Sequence, residues 1–388
     1  MKKTLIALTL AALPVASMAE VTLFGTIKGG VEFTKVKGVK NTITNANDWD
    51  SSIGFKGEED LGNGLKAIWQ LQSKAGINAA NARNGQRNTL TSFIGLDAGA
   101  FGKVRAGNLP DAIKDMEDLN LDGSGHGVRD LGNWEIGSRY TGVRYDTAKI
   151  AGFSANVLYS PEDNTRYEEL GSPAVHGFEQ AYVDENIPAV VNDATRNRWL
   201  VSAGLNYEIA GFFVKYGYIH QNDRITKRAN GDAHRIMGGY DANNLFVGLG
   251  YQFTKGMKGV ASQGQSQNGW KLTTQEVALS AAYRIGNVVP RLSYVHGFKQ
   301  KLAGEKLAHS KYDQVVLGAD YHLSKRTTVI ASLGWAKEGK NAYAGYDATN
   351  DVLLPGGGLI GAVKDKDTGE FKNKEQAYSF GLGLSHKF

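Results

Sequence analysis

The chain ends in YSFGLGLSHKF, residues 378–388, in which two kinds of side chain alternate without a break. The even positions carry Tyr, Phe, Leu, Leu, His and Phe, whereas the odd positions carry Ser, Gly, Gly, Ser and Lys. Because successive side chains of a β-strand point to opposite faces, this period of two predicts a strand with one apolar and one polar or small face. Soluble β-sandwiches also contain such strands, so the segment alone predicts β structure only.

The same alternation recurs along the chain, for example in residues 21–32, 65–72, 199–208, 212–218, 245–254, 277–284 and 314–323. The second face of these stretches carries Gly, Ser, Gln, Lys and Arg, which would line a water-filled lumen in a membrane barrel. Aromatic residues near the strand ends on the apolar face favour an interfacial girdle. They are Tyr207, Tyr251, Phe253, Tyr283, Tyr321, Phe380 and Phe388. The ordinary preference of aromatic residues for strands is the alternative explanation.

The connections between these stretches alternate in length. Seven short connections alternate with eight long ones, and fifteen connections predict 16 strands. An even number of strands joined by short periplasmic turns is typical of outer-membrane barrels. We therefore predict an all-β fold, a 16-stranded antiparallel transmembrane β-barrel. The predicted external loops are about 34–48, 76–87, 110–137, 161–196, 222–232, 255–272, 300–311 and 338–374.

The N-terminal sequence MKKTLIALTLAALPVASMA predicts a cleaved signal peptide over residues 1–19, with the barrel formed by residues 20–388. Lys2 and Lys3 supply the positive region, and Ser17 and Ala19 are the small residues before the cleavage site. A membrane anchor is the alternative, but the apolar stretch is short and Pro14 interrupts it. We expect an exported protein of the outer membrane.

The composition excludes several classes of protein. The 388 residues include 49 glycines and 7 prolines but no cysteine, which excludes disulfide scaffolds, thiolate zinc sites and cysteine nucleophiles. The formal net charge of +5 is too small and too dispersed to indicate a nucleic-acid partner. A mean hydropathy of -0.33 is typical of soluble proteins, although a barrel averages a lipid face with a wet lumen.

Several segments together resemble the neisserial porins, which are trimeric general porins of Gram-negative outer membranes. The resemblance covers nearly all strands and includes VTLFGTIKGGVEF (21–33), IGFKGEEDLGNGLKAIWQLQSKAGI (53–77), FGKVRAGNL (101–109), YDQVVLGADYHLSKRTTVIASLGW (312–335) and the terminal HKF. It implies a homotrimer among outer-membrane lipids, passive diffusion of small hydrophilic solutes and inorganic ions, and a third external loop folded inward. It also implies that the terminal Phe388 is an assembly signal, although a girdle aromatic is the simpler interpretation.

The candidate functional residues lie in the third predicted loop and on the strands that would face it. Residues 110–137 carry seven acidic and two basic residues. Strand parity places four basic residues on the lumen wall, namely Lys28, Lys56, Arg105 and Arg144. We expect these to face the acidic side chains of Asp115, Glu117 and Asp118 across a constriction, where opposed charges create a transverse field. A solvated loop outside the barrel is the alternative, and the resemblance favours the inward loop.

Two further motifs give little support for a metal site or a nucleotide-binding site. Asp118, Asn120 and Asp122 match the first half of a calcium loop, but position twelve is Arg129 instead of a glutamate, so the three residues are a weak metal candidate. The GxGxxG at residues 356–361 is followed by loop-forming residues instead of a helix. No GxSxG motif is present, and we expect neither an enzyme nor a cofactor.

The sequence predicts an outer-membrane porin that sieves solutes at the constriction with modest charge selectivity. We expect a weak preference for anions because the mature chain remains positively charged. One alternative is a substrate-specific channel, which would need an aromatic slide or an arginine ladder on the lumen face. The other is a surface-interaction protein that acts through long loops such as 161–196 and 338–374.

Overall fold

The computed structural model describes residues 21–77, 89–121, 129, 131, 134–161, 199–226, 229–257, 271–342 and 376–388, with short strands at 345–347, 352–354, 362–364 and 371–373. The predicted signal peptide, residues 1–19, lies outside the described residues, as does most of the predicted loop 161–196. Across the part of the chain that the structure describes, no helix has the length and apolar character needed to span a bilayer.

In the described part of the chain, sixteen long strands form the main sheet, and one of them is broken into two segments. They are β1 (Thr22–Val36), β2 (Ile43–Asp48 and Ser52–Gly62), β3 (Leu65–Lys74), β4 (Ser92–Asp97), β5 (Lys103–Pro110), β6 (Arg139–Asp146), β7 (Phe153–Ser160), β8 (Trp199–Ile209), β9 (Phe212–Thr226), β10 (Ala229–Ala242), β11 (Leu245–Lys255), β12 (Leu272–Tyr283), β13 (Val288–Gly297), β14 (Tyr312–His322), β15 (Thr327–Glu338) and β16 (Gln376–Lys387). Both segments of β2 pair with β1.

Every strand pairs with its sequence neighbours in antiparallel fashion, and the last strand closes the sheet onto the first. β16 pairs with β15 on one side and with β1 on the other, from Thr26 opposite Lys387 to Val36 opposite Ala377. Beyond this ladder, Gly25 and Phe388 exchange two backbone hydrogen bonds of 3.0 and 3.1 Å. The predicted all-β class and the closed 16-stranded antiparallel barrel are confirmed.

The two faces of the strands differ as the alternation predicted. Along β8, for example, Ser202 and Gly204 are buried, whereas Leu205, on the other face of the strand, is 60 % exposed. On β16, Leu382 and Leu384 are exposed while Ser379 and Ser385 are buried. Since a closed barrel buries only its inner face, the exposed apolar side chains form the outer surface that lipid would cover.

The short connections are tight turns that fix the register of the hairpins. Asn243 and Asn244 between β10 and β11 both have positive φ, 53° and 65°, as do Asn63 and Gly64 between β2 and β3, 54° and 77°. Two central residues in the left-handed region define the type I′ turn, whose twist matches that of paired strands. The predicted short connections at 60–64, 98–102, 148–152, 209–211, 241–244, 286–288 and 324–326 each lie at a turn between two of these strands.

Some strands extend further than the alternation indicated. The first segment of β2, Ile43–Asp48, lies in the predicted loop 34–48, and β9 and β10 extend into the predicted loop 222–232. Two small hairpins, Gly345–Asp347 with Val352–Leu354 and Ala362–Lys364 with Phe371–Asn373, lie in the predicted loop 338–374. Beyond the lipid the outer face no longer needs apolar residues, so the backbone ladder continues after the period of two has ended.

Candidate functional site

One buried carboxylate holds together the two ends of the connection between β5 and β6, residues 111–138. Asp111 accepts hydrogen bonds from the backbone N–H groups of Lys114 and Ser138, both at 2.7 Å. Its complete burial raises the pKa of Asp111 to about 6, although these N–H groups favour the ionised form. Next to it, the backbone N–H of Ala112 donates to Ser202 Oγ on the inner face of β8 at 2.8 Å.

Arg235 of β10 holds the middle of this connection. Its fully buried guanidinium donates to the backbone carbonyls of Ile113 at 3.2 Å, Met116 at 2.9 Å and Trp134. It also lies 4.4 Å from the centroid of the Trp134 ring and donates to Gln252 Oε1 of β11. A single cation from the barrel wall therefore binds three carbonyl groups of the connection, and such charge-assisted bonds are stronger than neutral ones.

An apolar cluster packs the same connection against the wall formed by β9, β10 and β12–β14. Met116, Leu119, Leu131 and Trp134 pack with inner-face residues of β9, β10 and β12–β14, namely Phe213, Met237, Ala278, Val295, Tyr312 and Val316. A Cβ atom at Gly250 of β11 would lie 2.8 Å from the Trp134 ring, so the indole packs where the wall has no side chain. Ser280 and Ser293 also donate hydrogen bonds to the carbonyl oxygen of Leu119, at 2.5 and 3.1 Å.

The distal part of the connection contacts the strands where the barrel closes. Arg129 pairs with Glu32 of β1 at 3.1 Å and donates to Ser332 Oγ of β15 at 3.0 Å. Its guanidinium lies 4.6 Å from the ring centroid of Trp49, which is itself fully buried, and Gly381 of β16 leaves room for it. The described residues of the connection thus contact the inner face of strands from β8 through β16 to β1.

Two predicted basic residues and one predicted acidic residue meet in a single cluster. Arg105 and Arg144 are opposite each other on β5 and β6, and Asp146 bridges them at 2.6 Å from Arg105 and 2.7 Å from Arg144. Arg144 also pairs with Asp115 of the connection at 2.5 Å and donates to the carbonyl of Pro110. Arg144 therefore binds the connection directly to the inner face of β6.

The other predicted basic residues lie elsewhere on the same inner face. Lys28 is on β1 and Lys56 on β2, strands that β3 and β4 separate from the arginine pair. Lys56 Nζ is 5.6 Å from the centroid of the Phe24 ring, at the end of the barrel where β1 begins. Both side chains have the parity that the sequence assigned to the lumen.

The remaining predicted acidic residues have basic partners. Glu117 pairs with Lys114 at 2.6 Å, and Asp118 pairs with Lys215 of β9 at 3.0 Å. Burial, followed by the charge of Glu135, raises the pKa of Glu117 to about 7. Burial also raises the pKa of Asp115, against the opposing charge of Arg144.

The weak metal candidate is only partly described. Asp118 is paired with Lys215, and the amide of Asn120 donates to Glu135, while Asp122 lies outside the described residues. Within the described ranges no three acidic or histidine side chains cluster as metal ligands would. Binding of a divalent cation by Asp118, Asn120 and Asp122 stays a prediction.

Three residues that bind the connection, directly or through Arg144, were not identified from the sequence. Lys215 has the inward parity of a strand that the alternation identified, so parity could have found it. Asp146 has the same parity as Arg144 two residues before it. Arg235 had no such signal, because the apolar side of β10 is interrupted by Asp232 and His234.

A closed 16-stranded barrel with an apolar outer surface and a polar inner face is the architecture of channel-forming outer-membrane proteins. Residues 25–354 match the profile of the Gram-negative porin family. The chain is 39 % identical to major outer membrane protein P.IB of Neisseria sicca over 93 % of this chain and 99 % of that one, and 42 % identical to P.IB of Neisseria lactamica over 88 % and 95 %. The chain belongs to the Gram-negative porin family.

Solved structures agree on the fold. An anion-selective porin from Comamonas acidovorans superposes with a TM-score of 0.65 at 20 % identity, covering 95 % of this chain and 100 % of that one. The trimer form of OmpT from Vibrio cholerae superposes with a TM-score of 0.61 at 13 % identity, covering 95 % and 99 %. The resemblance to neisserial porins is confirmed, and the protein is an outer-membrane porin channel, not an enzyme.

Proposed function

We propose that the β5–β6 connection forms the constriction of this porin, and that small hydrophilic solutes and inorganic ions diffuse passively past it. The observation that carries the proposal is the pairing of Asp118 with Lys215, which is only three residues from the short-turn end of β9. An acidic residue of a connection that starts at the long-loop end therefore reaches deep along the inner face.

The open channel runs along the inner face of β1 to β5, which the apolar cluster does not cover. The apolar cluster seals the connection against β9, β10 and β12–β14, whereas β1 to β5 present the polar side chains of Lys28, Lys56 and Arg105 to the lumen. The connection excludes water from one side of the lumen and leaves water on the other side. The pore is therefore off-centre and has a basic wall.

Charge pairing determines the selectivity that we propose. Asp115, Glu117 and Asp118 are each compensated by a nearby cation, so the connection contributes less negative charge than its composition suggests. Lys56 of β2, on the facing wall, then gives the constriction a modest preference for anions, and salt screens this charge over about 10 Å at 0.1 M.

The test is the reversal potential of single channels in a planar bilayer under a KCl gradient. We expect a wild-type preference for chloride, and Lys56→Gln should lower the chloride-to-potassium permeability ratio by about 2-fold in 0.1 M salt. Lys325→Gln, in the short turn between β14 and β15, is the matched control and should leave the ratio unchanged. A preference for potassium that Lys56→Gln does not alter would refute the proposed basic wall.

We also propose that the porin assembles as a homotrimer in the outer membrane after removal of residues 1–19. The support is the family membership of the chain, together with the trimeric form recorded for OmpT of Vibrio cholerae. In the same bilayer recordings, current steps that come in groups of three would support this assembly.

A further inference from the structure

A cavity of about 310 Å³ lies on the inner face at the short-turn end of β8 to β11. Its lining includes Lys149 from the turn between β6 and β7, Glu208 from the end of β8, Asp241 from the end of β10, and the rings of Phe213 and Phe246. Asp118 of the β5–β6 connection and Lys215 of β9 also line the cavity. We call this cavity the vestibule cleft.

The vestibule cleft contains one more carboxylate than ammonium group. Lys149 pairs with Glu208 at 2.6 Å, and Lys215 pairs with Asp118 at 3.0 Å. Asp241 is the third acidic residue, and among the described residues no cation lies within ion-pair distance of its carboxylate. Its backbone N–H is used in the turn, donating to the carbonyl of Gly211 at 2.8 Å. The cleft therefore has a net negative charge with Asp241 as the available anion.

Aromatic rings form the apolar part of the same cavity. Phe213 and Phe246 are stacked with centroids 6.2 Å apart and an angle of 15° between their planes. The ammonium group of Lys215 lies 5.4 Å from the Phe213 centroid, so one of these rings already interacts with a cation. Phe246 is half-buried and keeps part of its surface available to the cavity.

We propose that the vestibule cleft is a binding subsite for small organic cations that carry an apolar body. The cationic group pairs with Asp241, and the apolar body lies against Phe246, since pockets of this kind combine apolar walls with a few well-placed polar groups. Inorganic cations lack the apolar body and gain only the weak attraction of an exposed carboxylate. A cation bound there lies beside the Asp118–Lys215 pair, so it obstructs the lower part of the proposed constriction.

The experiment measures block of the KCl current through single channels by phenethylammonium, with methylammonium and 3-phenylpropionate as comparison solutes. Phenethylammonium should block at a concentration about 10-fold lower than methylammonium, because only the former gains the contact with the ring. Asp241→Asn should raise the half-blocking concentration about 5-fold, and Phe246→Leu about 3-fold. The anionic 3-phenylpropionate should not block through this cleft.

Asp97→Asn is the matched control, because Asp97 is an inward-facing acid at the short-turn end of β4, outside the vestibule cleft. It should leave the half-blocking concentration unchanged. Equal block in wild type, Asp241→Asn and Phe246→Leu would overturn the inference, as would equal block by methylammonium.

The inference uses the proposed pore only for its readout, so the two can fail separately. Channels that conduct KCl but are never blocked by phenethylammonium would overturn the cleft and leave the pore intact. If no current is seen, the proposed conduction fails, and ligand-observed NMR of phenethylammonium with the detergent-solubilised protein decides the cleft. Binding to wild type that weakens in Asp241→Asn supports the inference, and the absence of binding to wild type overturns it.

Discussion

At the scale of single residues, burial controls the charge of the β5–β6 connection. Glu117 has an ordinary cationic partner in Lys114, yet desolvation and the nearby Glu135 raise its pKa to about 7. A glutamate with the usual pKa near 4.5 stays ionised throughout the neutral range. Glu117 instead changes its charge there, so this carboxylate makes the proposed constriction sensitive to pH.

We predict that the chloride preference of the channel rises as the pH falls from 8 to 6. Because the pKa of Glu117 is raised, its carboxylate is ionised above about pH 7 and neutral below it, so acidification removes one negative charge. Reversal potentials at both pH values measure this change. The readout is the difference between wild type and Glu117→Gln, because this difference isolates the charge of Glu117.

Glu135→Gln provides an independent check of the cause. Removing the charge of Glu135 removes one of the effects that raise the pKa of Glu117, so the transition should move to lower pH. If wild type and Glu117→Gln showed the same pH dependence, Glu117 would not be the titrating group in the constriction.

At the scale of elements, the strands could be predicted from the sequence and the contacts of the β5–β6 connection could not. Alternation is a local pattern, so stretches such as YSFGLGLSHKF show their strand and its two faces directly. Arg129, Glu32 and Trp49 meet only because the closed barrel brings β1 and β2 opposite the connection. The same holds for Arg235, whose three carbonyl partners are all more than 100 residues away in sequence.

We predict that Arg235→Met loosens the β5–β6 connection without opening the barrel. The methionine fills much of the space but donates no hydrogen bond, and each buried carbonyl left without a donor costs about 1–3 kcal/mol. Trypsin cleavage of the folded protein after Lys114 or Arg129 should become at least about tenfold faster, since about 1.4 kcal/mol corresponds to a factor of ten. Open-channel current noise should rise as well.

Arg284→Met is the matched control for this prediction. Arg284 is at the short-turn end of β12, where it contacts His322 at 3.3 Å, away from the described part of the connection. Its substitution should leave the cleavage rate after Lys114 and Arg129 as in wild type. Equal rates in wild type and Arg235→Met would show that the apolar cluster alone holds the connection.

At the scale of the whole molecule, closure of the barrel depends on the chain ends. β16 pairs with β1 along its length, and the backbone bonds between Gly25 and Phe388 extend that ladder to the last residue. A Cβ atom at Gly25 would lie 2.5 Å from the carbonyl oxygen of Ser52 and 2.6 Å from the Phe388 ring. The terminal ring therefore packs over a position that only glycine leaves open, and it covers the seam where the sheet closes.

Phe388→Ala distinguishes the two interpretations of this terminal aromatic, because it removes the ring and keeps both backbone hydrogen bonds to Gly25. Phe380→Ala is the matched control: Phe380 is on the same outer face of β16, stacked on Phe33 of β1 with centroids 6.3 Å apart. If Phe388 is an assembly signal, Phe388→Ala should sharply reduce the amount of folded protein in the outer membrane of cells, while Phe380→Ala does not. Both variants should still refold in detergent, as judged by their mobility on unheated gels, because the closing ladder is intact. Equal losses for the two variants in cells would instead identify Phe388 as one more aromatic of the girdle, contributing only its burial against lipid.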